Sequence, residues 1–598
     1  MSMPTLRLLA ALLLAAAAVP WKGGAAMTEF LDPGRVHDGV LTLTQDQWRV
    51  LEPKSRDLIA VAGYGGSRAG RDDGDFATAH ADFHMDGSAF ADVAVRYKGH
   101  GTFRQSRATL KRPFKLDLNQ FVRSNRLGGV TKVRFNNNVA DPSFMNEVVA
   151  YDLYREAGVP APRTAHARIS VVVPGLFERR FLGLYTLVEN PDGDWSEGWF
   201  GAKKVMILKP TSEALFVHRG SDWSRYREAY DPKTSVLESQ ASRVVGLSRL
   251  VSEADDTVFS RELPLYVDVD EFARFMAVTV GTSSLDSILG RGGNLLVCLD
   301  PATRRFVFAP WDLDQAFGGV GGLGTQEQRE RLSIEHPWVG TNLFLERVFK
   351  VDDFRTAYRG HLCRFATVAL DPERIQGRIE EIADRIRPAV AEEGPVALRR
   401  FDAVRKGIAV APVGPNGELP DADVESRPTH PKPILSFAAA RRASILAQLE
   451  GRDAGLRIEN GSVSDADAVR RNAVFATLAA ALDADRDGAV TRAEVSRSAE
   501  RWFGEWAGSP GGVLRLESLL TGIGRLDGRP GAARDEVVAA VALEVLSRFD
   551  TDRSGAVSRG EFAGGWTGWY LLWDTTNSGR LGVGELARCL GELVREDP

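Results

Sequence analysis

The stretch Ala309-Pro310-Trp311-Asp312-Leu313-Asp314-Gln315-Ala316-Phe317-Gly318 decides how the larger part of this chain is organised. It leaves an apolar run, Phe306–Ala309, and passes at once into two carboxylates one residue apart, followed by Phe-Gly. A second apolar run, Asn294–Leu299, precedes it, and Asp300-Pro301 supplies the turn between them. This predicts a strand–turn–strand unit that delivers paired carboxylates at its exit. Helical patterns lie around it, including Asp268–Val280, Pro372–Glu393 and Ile434–Glu450. Upstream, between about residues 53 and 210, strand-like runs alternate with turns. They are Asp92–Lys98, Phe114–Leu118, Lys132–Phe135, Ala167–Val173 and Phe181–Glu189. One helix interrupts them, Ser143–Ala157, opened by Asp141-Pro142 and stopped by Gly158 and Pro160. A strand-rich part followed by a helix-rich part argues an α+β fold rather than an alternating parallel sheet. Residues 27–52 read as a lead-in, 411–433 as an exposed loop and 451–465 as a linker.

The chain has 598 residues, 44% of them hydrophobic, enough for several cores. A net charge of −5 lacks the basic excess of a nucleic-acid binder. Near the start, Arg7 precedes the apolar run Leu8–Val19 and the small residues Gly23–Ala26. Residues 1–26 therefore read as an export signal. The run is shorter than the ~20 residues a membrane span needs. No other stretch is apolar enough to cross a bilayer, so the mature chain is expected outside the cytoplasm without a span. Three distant cysteines, Cys298, Cys363 and Cys589, do not make a disulfide scaffold.

The segment Arg96-Tyr97-Lys98-Gly99-His100-Gly101-Thr102-Phe103 follows a strand, and Lys111-Arg112-Pro113-Phe114-Lys115 comes soon after. A glycine turn backed by a strand lysine can cradle phosphates; the plainer reading is a basic hairpin. Asp312 and Asp314 suit Mg²⁺ held against triphosphate oxygens, where the plain alternative is a helix cap or an arginine partner. Asn294 is a candidate second metal ligand, and Asp286 a candidate acceptor of a hydroxyl proton. Glycine turn, lysine, base, Asn and metal Asp follow one another as in kinase-type phosphoryl transfer.

Together these residues resemble the spore-coat CotH kinase-like family. The resemblance rests on Lys98-Gly99 with Lys111–Leu118, and on Asp141-Pro142-Ser143 leading a helix that ends Ala157-Gly158-Val159-Pro160-Ala161-Pro162. It continues through Gly183-Leu184-Tyr185-Thr186-Leu187-Val188-Glu189, Leu208-Lys209-Pro210, Leu285-Asp286-Ser287 with Asn294, and Pro310-Trp311-Asp312-Leu313-Asp314 with Phe317-Gly318. It implies an atypical protein-kinase-like, two-lobed domain over 27–455 and ATP-dependent phosphorylation of Ser or Thr on an extracytoplasmic protein. On that basis Asp286 is the catalytic base and Lys115 contacts ATP phosphates beside the turn residues Lys98, Gly99 and Gly101. Glu189 lies at the inter-lobe hinge near adenine, Asn294 and Asp312 bind Mg²⁺ with Asp314 as the alternative ligand, and Glu147 is a possible ion-pair partner for Lys115. The family's loop usually carries Arg-Gly followed by small hydroxyl residues; here Lys98-Gly99-His100-Gly101 stands there and only Thr102 fits.

Residues 456–598 read as an all-α EF-hand module. In the first twelve-residue loop, Asp483, Asp485 and Asp487 take positions one, three and five, Gly488 the turn, Ala489 a backbone carbonyl, Thr491 position nine and Glu494 the closing bidentate carboxylate. Asp550, Asp552, Ser554, Gly555, Ala556, Ser558 and Glu561 repeat the register. A weaker third loop has Asp574, Thr576, Ser578, Gly579, the carbonyl of Arg580, and Glu585. A ligand-poor window, Trp506–Glu517, is expected to pair with the first loop, with Gly511 at the turn and Val513 at position eight. Ca²⁺ is the expected ion, in a structural or adhesive role. Two functions compete: an exported Mg²⁺- and ATP-dependent protein kinase, and a non-catalytic surface or matrix binding protein stabilised by calcium.

Overall fold

The computed structural model describes residues 31–52, 76–99, 101–106, 109–211, 215–290, 292–320, 323–413, 419–421, 431–459, 465–508, 512–527, 532–552, 554–574 and 578–594. The expected export signal at 1–26 lies outside them, as do Thr576 and Gly511. Seven strands close into a barrel: β1 (Val36–Thr42), β2 (Ala79–Met85), β3 (Ser88–Tyr97), β4 (Phe114–Asp117), β5 (Lys132–Asn136), β6 (Thr164–Val173) and β7 (Phe177–Glu189). Their order is β1-β2-β3-β4-β5-β7-β6, and the parallel pair β1 and β6 shuts the ring. The alternation is clearest in β2, where Ala79, Ala81, Phe83 and Met85 point inward while His80, Asp82 and His84 face out. Inside, Phe114 stacks on Phe135 with ring centres 4.4 Å apart, and Tyr185 meets Phe114 edge-on. Such pairs each add ~0.5–1.5 kcal/mol beyond area burial. Residues 27–52 are thus more than a lead-in: they supply the closing strand β1 and the Thr44-capped helix Gln45–Leu51. Asp38 and Gly39 interrupt the apolar pattern of β1 and hide it in the sequence.

The strand–turn–strand unit forms as expected, as β9 (Leu295–Leu299) and β10 (Phe306–Pro310), with a short β8 (Met206–Leu208) added on the other edge of β9. This sheet is covered on both faces. Leu295, Val297 and Leu299 enter the main core, whereas Leu296 and Cys298 join Trp195, Trp199 and Trp311 in a smaller cluster. The main core also takes Phe272 and Phe275 of the helix Val269–Gly281, and Val148, Tyr151 and Tyr154 of the helix Asn146–Glu156. The one helix of the strand-rich half therefore belongs to the helical body. Near the end of the helix Pro372–Glu392, Glu392 pairs with Arg168 at 2.5 Å and Glu393 with Lys111 at 2.6 Å, fastening body to barrel.

Residues 451–459 are not a linker. Leu456 bridges to Leu332, and Ile458 is buried in the main core. The boundary expected at 455/456 accordingly moves to beyond residue 459. The C-terminal module has its own core, including Trp502, Phe549, Phe562, Trp566 and Trp569. Among the described residues it has six helices and a two-stranded ladder of β11 (Ala489–Thr491) and β12 (Arg580–Gly582). Among the described residues no helix is long and apolar enough to cross a membrane.

Candidate functional site

The exit of β10 is bent by Asp312, whose φ of +52° is in the left-handed region that Asp tolerates better than most residues. Its N–H donates to the Tyr151 hydroxyl at 3.1 Å. The helix Asn146–Glu156 lines this bend. Its Asn146 side chain donates to the Asp314 carbonyl at 3.1 Å, and Glu147 lies one turn before Tyr151 on the same face. Asp141 anchors the approach to that helix, accepting from the Ser143 N–H at 2.8 Å, the Ser143 hydroxyl at 2.6 Å and the Asn146 N–H at 2.8 Å. It braces the turn before the helix, which begins at Asn146, three residues later than the Ser143 start expected from the sequence.

Antiparallel register brings the other chemistry to the same place. Leu295 faces Pro310, so Asn294 lies one step beyond the ladder, opposite Trp311. Its side-chain amide donates to Asp286 Oδ2 at 2.8 Å. Asp286, Asp312, Asp314, Glu147 and Asp141 thus form one electrostatic group. Burial pushes the Glu147 carboxyl up to about 8, with Asp312 the next cause, while the Asn136 amide at 2.7 Å and the charge of Lys98 oppose the rise. Burial likewise raises Asp314 well above the carboxylate range, reinforced by Asp312, Glu147, Asp286 and Asp141. An all-oxygen set of converging acids suits a hard divalent cation such as Mg²⁺, whose charge would relieve this repulsion.

The barrel contributes a cationic row. Arg96, Lys115 and Arg134 stand opposite one another across β3, β4 and β5, so their side chains share a face. That face turns towards the acids: the Arg134 guanidinium lies 4.5 Å from the centre of the Trp311 ring, next in sequence to Asp312. Lys115 is buried within this row. Glu147 has the Asn136 amide and the charge of Lys98 beside it. Gly99 has φ +76°, and Gly101 opens the short helix Gly101–Ser106. Glu189 closes β7 with both carboxylate oxygens held by Arg163, at 2.7 Å from Nη2 and 3.1 Å from Nε and the backbone N–H. Its carboxylate is committed to that arginine. Tyr151, Asn136 and Arg134 were missed by the sequence reading; period-two alternation assigns Arg134 a face of its own strand, but only the β4–β5 register sets it beside Lys115.

The acidic loops of the C-terminal module share one internal design. In the first, Asp483 accepts from the N–H groups of Asp487 at 3.2 Å and Gly488 at 3.0 Å, and Glu494 accepts from Ala484 at 3.0 Å and Thr491 at 2.8 Å. In the second, Asp550 accepts from Ser554 at 2.9 Å and Gly555 at 2.8 Å, and Glu561 from Thr551 at 2.8 Å and Ser558 at 2.9 Å. In the third, Asp574 accepts from Ser578 at 2.8 Å and Gly579 at 2.7 Å. Carboxylate oxygens of Asp483, Asp485 and Asp487 lie within 4.8 Å of one another, as do those of Asp550, Asp552 and Glu561. Gly488, Gly555 and Gly579 have φ of +87°, +80° and +71°, which glycine alone adopts freely. Backbone and hydroxyl donors hold the Glu561 carboxyl down at about 2. The donor sets are hard oxygens aimed inward and fit Ca²⁺, with Asp485, Asp487, Thr491, Asp552 and Ser558 and the Ala489, Ala556 and Arg580 carbonyls completing the expected shells.

One expectation is corrected. The first loop pairs with the third, through Val490 opposite Leu581, and not with the Trp506–Glu517 window. That window pairs with the second loop, by reciprocal backbone bonds of 2.9 Å between Leu514 and Val557. Leu514, not Val513, therefore takes position eight, and the window shifts by one residue. Neighbouring valine and leucine are both apolar, so composition could not choose between the registers.

Comparison with known proteins adds two findings. The family model described as CotH kinase protein matches residues 95–398. The inner spore coat protein H of Bacillus subtilis (strain 168) is 22% identical over 309 residues, which cover 50% of this chain and 78% of that protein.

Proposed function

Because this chain belongs to the CotH kinase protein family, we propose that it is an exported, calcium-binding member that transfers phosphate from ATP to Ser or Thr of an extracytoplasmic protein. The observation that carries the transfer is the meeting of Asp286–Asn294 with Asp312 and Asp314 beside Glu147, facing the row that holds Lys115. On this reading the barrel and the helical body are the two lobes of a kinase-like domain. Asp312 and Asn294, with Asp314 as the alternative, would hold Mg²⁺, which supplies charge neutralisation on the triphosphate. Lys115 offsets phosphate charge from the barrel side, with Lys98, Gly99 and Gly101 at the turn. Asp286 takes the proton from the acceptor hydroxyl as its oxygen bonds to the γ-phosphorus and the bond to ADP breaks. The Asn294 amide holds Asp286 in position. With the Glu189 carboxylate occupied by Arg163, contact with adenine at that place falls to the backbone.

The test is transfer of labelled phosphate by the purified chain with Mg²⁺ and ATP. Asp286→Asn and Asp312→Ala are each expected to lower the rate by ~10²-fold or more. No transfer, together with no thermal shift on adding magnesium nucleotide, would leave the non-catalytic surface or matrix binding protein as the better reading. Calcium binding is supported by the converging carboxylates of the first two loops. Calorimetry on the full chain should show uptake of heat-producing Ca²⁺, and its absence would remove this part. Export is supported by the apolar run Leu8–Val19 and by the relative's description as a spore coat protein.

A further inference from the structure

Separate stretches of the helical body enclose a cavity of about 160 Å³. They are the end of the helix Asn146–Glu156, the middle of the helix Val269–Gly281, the end of the helix Asp352–Arg364 with the π-helical turn Phe365–Ala369 that follows it, and the first turn of the helix Pro372–Glu392. A π-helical turn is rare and recurs at functional sites. Leu153, Ala277, Val278 and Phe365 give the cavity a buried apolar lining, and exposed Val368 adjoins them. The charges of the lining are lopsided. Arg274, Arg364 and Arg374, with His361, stand against the single carboxylate of Glu156. Glu156 is shared by two guanidiniums, Arg374 at 3.0 Å and Arg378. Asp270, next to the lining, is shared by His361 at 2.8 Å and Arg274 at 3.3 Å. Arg274, Arg364, Arg374 and Arg378 thus gather around Glu156 and Asp270, in a chain whose net charge is −5. Arg274 Nε, although near Asp270, is buried without a hydrogen-bond acceptor.

We propose that this cavity binds a ligand in which a carboxylate is joined to one compact apolar group, a phenyl ring or a branched alkyl chain. An engineered apolar cavity of ~150 Å³ holds benzene, so the space here suits one such group. The carboxylate meets the arginines, whose planar forks match its two oxygens. A cationic ligand would be repelled by the same excess, and an uncharged one would leave it unanswered. Free aromatic or branched acids carry this chemistry, and so does the end of a polypeptide whose last residue is apolar. The cavity shares no lining residue with the acids around Asp312, so its occupancy can be measured without nucleotide.

The experiment adds phenylpropionate, and in parallel the uncharged phenylpropanamide, to the full chain with isotope-labelled valine methyls. The acid is expected to shift Val278 and Val368 saturably and to bind ~10-fold or more tightly than the amide. Arg274→Gln should remove most of that preference while leaving the amide within about twofold. Should the substitution disturb folding, the contrast between acid and amide in the wild-type chain carries the test. A triglycyl-phenylalanine peptide with a free C-terminus distinguishes the source. Tighter binding than phenylpropionate assigns the site to a chain end, and weaker binding assigns it to a free acid. An amide that binds as well as the acid, a preference that survives in folded Arg274→Gln, or Val278 and Val368 unmoved by both acid and peptide would overturn the proposal.

Discussion

Glu147 has a carboxyl raised to about 8 by burial and by Asp312. Between the unfolded value near 4.5 and about 8, the folded chain keeps a proton that the unfolded chain has released. This group's contribution to stability therefore falls as pH rises through that window, by up to ~1.4 kcal/mol per pH unit. Glu147→Gln should flatten this part of the profile, as read by urea unfolding at pH 5, 6.5 and 8 without divalent ions. Arg580 acts in the opposite electrical sense. Its guanidinium rests on Asp487 at position five of the first loop and repels an incoming cation, while both side chains are solvent-screened at 56% and 39% exposure. Arg580→Gln keeps the backbone carbonyl of the third loop. It should tighten the first loop ~3- to 10-fold at low salt, with the gain shrinking in 1 M salt, as a calcium titration at two ionic strengths would show.

At the scale of elements, the helix Val269–Gly281 feeds directly into the segment that carries Asp286 and Asn294. Its last residue has no room for a side chain: a Cβ on Gly281 would lie 2.3 Å from Cε1 of Phe365. Phe365 is buried and opens the π-helical turn Phe365–Ala369, so the ring cannot retreat into solvent. Gly281→Ala should cost ~1–3 kcal/mol, measured as a lowered urea midpoint. If the site works as proposed, this change should also reduce phosphate transfer, since displacement of the helix end moves Asp286. Strand β4 is similarly held. Lys111 precedes it, and its ammonium meets Glu393 while lying 4.6 Å from the Phe144 ring centre. The same carboxylate accepts the Leu184 N–H at 2.6 Å. One acid beyond the helix Pro372–Glu392 thus positions both the entry to the Lys115 strand and the middle of β7.

Across the whole molecule, the hydrophobic clusters of the barrel, the body and the C-terminal module share no residues. Ligands that bind only the folded module stabilise it by mass action. Calcium at ~100 times its dissociation constant should stabilise the module by ~2.7 kcal/mol and raise one calorimetric transition, leaving that of the barrel and body in place. A uniform shift of all transitions would contradict energetic independence. Magnesium nucleotide should act on the other transition.

Much of this could be read from residue order, because period and local chemistry need no tertiary partner. The strands from Asp92 to Glu189, the strand–turn–strand before Trp311, the Asp312/Asp314 pair at its exit, and the glycine turns of the three acidic loops with Glu494 and Glu561 folded back on the first two all fell near their expected places. What the sequence could not supply was set by contacts between distant segments. Closure of the barrel by Val36–Thr42, the row of Arg134 beside Lys115, the raised carboxyl of Glu147, the burial of Ile458 and the pairing of the first loop with the third each depend on which surfaces meet. The residues alone determined which groups could donate oxygen or charge. Only the packed chain decided which of them face one another, because burial and mutual repulsion are properties of neighbours in space.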